Sequence, residues 1–217
     1  MQEPTGALLA GGTGLVGGQV LESLRRLGVA PVHALARVPH DDGDGLHWHD
    51  WAWLDADPLP GCAMAFCCLG TTHAQAGSKA AFAAVDRDLV LHFAERARAA
   101  GASRFGLVSS VGADAGARSH YLRIKGEVED AISAMGFEAL HIIRPSLLLG
   151  RRADSRPAED LAQKLAPAAG ALMAGALRRY RPVRADKVAR QLVRAVVAGE
   201  GGRHVHYPWF AGHTKNT

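Results

Sequence analysis

Tyr121 and Lys125 stand four residues apart in the run Tyr121-Leu122-Arg123-Ile124-Lys125, and Ser109-Ser110 lies shortly upstream. On a helix an i, i+4 spacing puts both side chains on one face. A tyrosine hydroxyl there can give its proton to a carbonyl oxygen as hydride arrives. A nearby ammonium favours the tyrosinate form and can also hold a cofactor ribose, while a serine hydroxyl can orient and polarise the carbonyl. The hydride has to come from a bound cofactor. With three tyrosines in 217 residues, a Tyr-x-x-x-Lys pattern seldom arises by accident.

A dinucleotide needs a cradle for its phosphates, and the chain opens with one. The apolar run from Gly6 to Ala10 leads straight into Gly11-Gly12-Thr13-Gly14-Leu15-Val16-Gly17, which contains a GxxGxxG spacing at Gly11, Gly14 and Gly17. One glycine makes the tight turn, one admits the pyrophosphate to the backbone, and one lets helix and strand pack closely. The helix that follows offers free N–H groups and a favourable dipole to the anion. About 20 residues beyond the loop, where NAD-preferring sites carry an acidic residue for the ribose 2′-hydroxyl, this chain has Arg37. A guanidinium at that place accommodates the 2′-phosphate of NADP.

These residues need a scaffold, and the periodicity supplies it. Strands are expected at Gly6 to Ala10, Val32 to Ala36, Leu46 to Trp53 (with Asp50 near its end), Ala63 to Leu69, Phe105 to Ser109 and Ala139 to Ile143. Helices are expected at Leu15 to Leu27, Ala80 to Ala100, His120 to Met135 and Asp186 to Ala198, with Gly101 and Gly136 as stops. His204 to Tyr207 reads as a last strand. In the first helix Leu15, Val20, Leu21, Leu24 and Leu27 are the expected apolar contacts. Alternating strands and helices imply right-handed crossovers and a parallel sheet covered on both faces. The expected fold class is therefore α/β: a Rossmann-like, doubly wound parallel sheet in three layers, with a short C-terminal substrate-side extension. One NAD(P)-binding domain over 1–217 is expected, with residues 146–182 on the substrate side.

Composition narrows the function classes. The hydrophobic fraction is 48% and the charged fraction 21%, ordinary for a globular chain. The formal net charge of +4 is scattered in pairs such as Arg25-Arg26 and Arg151-Arg152, with no basic run and no aromatic interleaving. That speaks for an anionic cofactor and against nucleic acid. No segment reaches the ~20 apolar residues of a membrane span, and no basic, then apolar leader opens the chain. A cytoplasmic location without membrane association is the expectation. Cys62, Cys67 and Cys68 contain no CxxC pair and read as small apolar filler. The pairs His47/His49 and His204/His206 lack a third ligand, so no metal is expected, and they read as surface or packing residues. Trp48, Trp51 and Trp53 are expected to pack around the third strand.

Further residues extend the pattern: Phe66-Cys67-Cys68-Leu69-Gly70-Thr71-Thr72, Val85-Asp86-Arg87-Asp88, Ser109-Ser110 with Gly112-Ala113-Asp114, and Tyr121-Leu122 with Lys125-Gly126-Glu127-Val128-Glu129. Arg144-Pro145, Ser155-Arg156-Pro157 and Glu159 complete it. The set resembles the atypical short-chain dehydrogenase/reductases, and most closely the Tat-interacting protein family of oxidoreductase-like proteins. The resemblance implies NADPH above the carboxyl ends of the strands, with Gly11, Thr13, Gly14, Leu15 and Val16 at the phosphates and Arg37 at the 2′-phosphate. It also implies Asp50 near the adenine, Leu69, Gly70 and Thr71 lining the cofactor, and the Arg144-Pro145 turn near the nicotinamide. Ser110, Tyr121 and Lys125 would form the catalytic triad, because the second Ser of such a pair usually fills the role in relatives. The implied activity is NADPH-dependent reduction of a small carbonyl compound. An NADPH-binding regulator with little or no turnover is the alternative, and an epimerase or dehydratase the third reading. The chain is expected as a monomer or as a homodimer pairing the helix from Ala80 with the helix that carries Tyr121.

Overall fold

The first strand shows why a parallel sheet forms. Ala7, Leu8, Leu9 and Ala10 are all fully buried, and they alternate between two separate cores. Leu8 and Ala10 face one, Ala7 and Leu9 the other. A strand apolar on both faces has to be covered on both, as parallel sheets are. In a computed structural model describing residues 6–71, 76–149, 180–208 and 215–216, that sheet has eight strands in the order β10-β9-β6-β5-β4-β1-β2-β3. The strands are β1 (Ala7–Ala10), β2 (Val32–Leu35), β3 (Leu46–His49), β4 (Met64–Cys67), β5 (Arg104–Val108), β6 (Ala139–Ile143), β9 (Gly202–His206) and β10 (Lys215–Asn216). All pair in parallel except β10, which runs antiparallel to β9. The order 3-2-1-4-5-6 within it is that of a dinucleotide-binding sheet, with the reversal between β1 and β4. The expected Rossmann-like fold class is the observed one.

Helices make the outer layers. On one face α1 (Leu15–Arg26) packs on α5 (Ala185–Ala198), bringing Val16, Val20 and Leu24 against Val188, Leu192 and Val196. On the other face lie α2 (Lys79–Ala83), a π-helical turn (Ala84–Leu89), α3 (Val90–Ala99) and α4 (His120–Ala134). Their Val90, Phe93, Ala97, Val128 and Ile132 close the second core. The sequence pattern shows one helix from Ala80 to Ala100; the π-helical turn inside it has no apolar signature. A short parallel pair, β7 (Leu148–Leu149) with β8 (Val183–Arg184), follows β6.

Three expectations differ in detail. β3 ends at His49 rather than Trp53, because Asp50 accepts the Trp53 N–H at 3.0 Å and turns the chain into a 3-10 turn at Ala52–Asp55. Leu27 is 54% exposed, since it stands beyond the last turn of α1. The last strand begins at Gly202, where the chain leaves α5 through a left-handed Gly199.

Histidines pack across neighbouring strands in two places. On β6 and β9, His141 stands opposite His204, their rings stacked with centroids 4.9 Å apart. His141 Nδ1 and His206 Nε2 are 3.1 Å apart. All three are buried. Burial, then the neighbouring rings, hold the His141 imidazole at about 4, and burial lowers His206 as well. On β2 and β3, burial likewise lowers His33 and His49. A histidine whose folded-state value is depressed leaves the unfolded chain binding more protons once pH falls below ~6.5. Stability is therefore present above that pH and lost as pH drops towards 4, by up to ~1.4 kcal/mol per unit for each such group. Melting temperature should fall steeply between neutral and acid pH, and more shallowly in His141→Leu; equal slopes would contradict this account.

Candidate active site

Parallel strands put all their carboxyl ends along one edge of the sheet, and the expected site residues lie there. Gly11 to Val16 follow β1, Arg37 follows β2, Asp50 follows β3, Leu69 to Thr71 follow β4, Ser110 follows β5 and Arg144 follows β6. Tyr121 and Lys125 come in on the first turns of α4.

The loop after β1 has the shape its glycines allow. Gly11 takes φ +83°, a left-handed conformation that favours glycine. Gly14 N–H donates to Gly11 O at 3.0 Å. A Cβ on Gly17 would sit 1.9 Å from Gly11 O, so α1 can cross the loop this closely only without a side chain. A Cβ on Gly12 would meet the Trp48 ring at 3.0 Å, which places that indole against the loop. Thr13 and Gly14 are exposed and Leu15 half-buried; the Val16 side chain belongs to the core, leaving only its backbone for a ligand. No side chain caps α1, and its first turn carries no acidic residue. Uncapped N–H groups over a glycine turn fit a pyrophosphate. Arg37 is exposed beside Asp50, for the Ala36 N–H donates to His49 O.

From the cradle a continuous line of contact leads to the lysine. Gly11 abuts the Cys68 carbonyl, where an added Cβ would come within 2.7 Å. Two residues on, a Cβ on Gly70 would lie 3.7 Å from Asp86 Oδ1 and 3.9 Å from Lys125 Nζ. Lys125 and Asp86 form a buried ion pair at 2.7 Å. Asp86 Oδ2 also accepts the Thr71 N–H at 2.8 Å. Asp86 sits in the π-helical turn, a kind of distortion often found at functional sites. Its motif is visible in the sequence, but its pairing with Lys125 depends on how α4 meets that turn.

Two features set the pose of α4. A Cβ on Gly126 would come within 2.1 Å of Ala115 N, so the helix lies directly on the loop that follows Ser110. One turn beyond Lys125, Glu129 is buried and gathers three elements. It accepts the Ser109 hydroxyl at 2.5 Å, accepts Arg144 Nη2 and Nε at 2.6 and 3.0 Å, and lies 3.4 Å from Arg203. Ser109 is thereby occupied, whereas among the described residues the Ser110 hydroxyl has a 3.4 Å contact with Val111 O alone. Arg144 therefore points its charge at Glu129. Burial opposes that charge, but Glu129 more than offsets it and holds the guanidinium above its ordinary value. Tyr121 is half-buried, its ring 5.6 Å from Phe82.

Beside this helix a cavity of about 310 Å³ opens between Ala113 to Ala115, the Gly126–Asp130 face of α4 and Arg144. Of residues 146–182, the ends are described: Leu148 pairs with Val183, and the Ser146 hydroxyl donates to Arg181 O. The span from 150 to 179, with the Ser155-Arg156-Pro157 and Glu159 motif, lies outside the described residues. Cys62 and Cys67 are buried in the core as small apolar filler and Cys68 is half-buried; burial pushes the Cys67 thiol up to about 12 and raises the other two. No group of three metal-binding side chains occurs among the described residues.

No family model matches the chain. The rat protein HTATIP2 is 47% identical over 117 residues, 53% of this chain and 48% of the rat protein, so the chain matches about half of that relative's length. The mitochondrial protein fmp52 of Emericella nidulans is 36% identical over 179 residues, covering 75% of both chains. Among solved structures, human epimerase family protein SDR39U1 with NADPH superposes with a TM-score of 0.65 at 18% identity, over 93% of this chain and 73% of that one. The fungal relatives are named mitochondrial, which overturns the expected cytoplasmic location. Hydropathy could not have settled it: no described helix is long and apolar enough to cross a membrane, and that fact does not choose a compartment.

Proposed function

The chain belongs to the HTATIP2-like family of atypical short-chain dehydrogenase/reductases, together with the Fmp52 proteins, and we propose that it is an NADPH-dependent reductase of a small carbonyl compound. The family is one of NAD(P)-binding oxidoreductase-like and epimerase-like proteins. The observation that supports the finer reading is that the segment following Cys68 runs from beside Gly11 to Gly70, where an added Cβ would lie 3.9 Å from the buried Lys125 ammonium.

When bound, NADPH supplies hydride. The exposed Thr13 and Gly14 and the uncapped amides of α1 hold its phosphates, and Leu69 to Thr71 line its path. Arg37 takes the 2′-phosphate, and Asp50 lies beside it on the adenine side. Ser110 orients the carbonyl oxygen, Tyr121 gives it a proton, and Lys125 sits one helical turn away on the same face. Arg144 serves through the turn it makes with Pro145, since Val111 N–H donates to Pro145 O at 2.9 Å and so ties that turn to the Ser110 loop. The described ends of the 146–182 segment lie beside that turn, and the segment is assigned to the substrate side.

Arg37→Ala should weaken NADPH binding by about tenfold, the loss of a charge-assisted pair, and leave NADH binding almost unchanged. Titration followed by nicotinamide fluorescence checks this. Equal losses for both cofactors would remove Arg37 from the 2′-phosphate, and no binding of either would remove the cofactor assignment.

A further inference from the structure

Asp86 is fully buried and divides its two carboxylate oxygens between two parts of the site. Oδ2 takes the Thr71 N–H, at the end of the segment that follows β4. Oδ1 lies 2.7 Å from Lys125 Nζ, yet among the described residues no donor is aligned on it as a hydrogen bond. The contact is one of charge without direction. A buried pair offsets its desolvation best when its remaining valences are met, and among the described residues this oxygen has only the ammonium contact. The pair is also close to the cofactor side: the residue above it is Gly70, which has no side chain to intervene.

We propose that Asp86 is a positioning residue that holds Lys125 as its counter-ion in the cofactor-free protein and competes with the cofactor ribose for that ammonium. The inference rests on the NADPH reading of the site and adds a restraint to it. An ammonium has three donors and can meet ribose hydroxyls in good geometry, which the misaligned carboxylate oxygen does not provide. Asp86 also withdraws a cation from an anionic ligand. Because Thr71 hangs from the same carboxylate, a change at Lys125 is felt in the segment that lines the cofactor.

The sign of one substitution separates this restraint from a merely structural tie. Asp86→Asn frees the ammonium, and NADPH should bind about fivefold tighter. In a Lys125→Met background the same substitution should change affinity by less than about twofold. A tie needed only for the fold would weaken binding instead. Weaker or unchanged binding in Asp86→Asn, or the same gain in the Lys125→Met background, overturns the proposal.

The unsubstituted chain gives a second readout should Asp86→Asn fail to fold. With 15N-labelled lysine, the buried ammonium should give a slowly exchanging signal that is absent in Lys125→Met and moves as NADPH is added. A signal that stays in place at saturation overturns the restraint alone. Failure of the unsubstituted protein to bind NADPH at all removes the cofactor reading, and is seen before any variant is made.

Discussion

Replacing Tyr121 with Phe is expected to cut kcat by about 10²- to 10⁴-fold, the usual worth of a positioned general acid, while NADPH still binds. The substitution removes one oxygen and no packing: the ring stays against Phe82, and among the described residues the hydroxyl ties down no other element. Lys125 keeps its ion pair with Asp86, and the Gly126 contact that seats α4 is untouched. The measurement is NADPH oxidation with a carbonyl compound that the unsubstituted protein reduces, beside a binding titration of both proteins. Loss of turnover with intact binding is what the reductase reading requires. A Tyr121→Phe protein that behaves normally in every functional assay would instead favour a cofactor-bound regulator.

The second large effect is on stability. Glu129 is 1% exposed and is the shared acceptor of Ser109, Arg144 and Arg203, so Glu129→Ala leaves the Arg144 guanidinium, 19% exposed, without its counter-charge. Breaking one half of a buried pair typically costs about 3–5 kcal/mol. For a chain of this size that lowers the melting temperature by roughly 6–20 °C. Thermal unfolding checks it. A loss below about 1 kcal/mol, the value of an exposed pair, would mean that water already screens this network. The double substitution Glu129→Leu with Arg144→Leu should recover much of the loss, because it buries no orphan charge.

Legibility in the sequence followed the range of the interaction. The run Ala139 to Ile143 is a strand in both readings, because a short stretch of Leu and Ile around one histidine, between Gly136 and Arg144-Pro145, has few other local outcomes. The glycine loop was legible for the same reason: Gly14 and Gly17 answer to contacts with Gly11, a few residues away. β3 was read too long because a single hydrogen bond from Trp53 N–H to Asp50 ends it, and apolar spacing does not register one bond. The charged residues were the least legible. Arg144 stands in the right turn, but its partner Glu129 is on another element, fifteen positions earlier. Lys125 and Asp86 were both conspicuous, and only the packing of α4 on the π-helical turn makes them a pair. Histidine followed the same pattern: His204 and His206 draw the eye as a pair, whereas their companion His141 belongs to a different strand.

The indole laid against Gly12 gives the chain an optical consequence. Trp48 is near enough to the glycine loop to touch an added Cβ, and a reduced nicotinamide dinucleotide absorbs where indole emits. Any such ligand cradled there would drain the emission of this tryptophan by energy transfer. The chain thus carries a built-in light signal for its own occupancy, readable without a label or a known substrate.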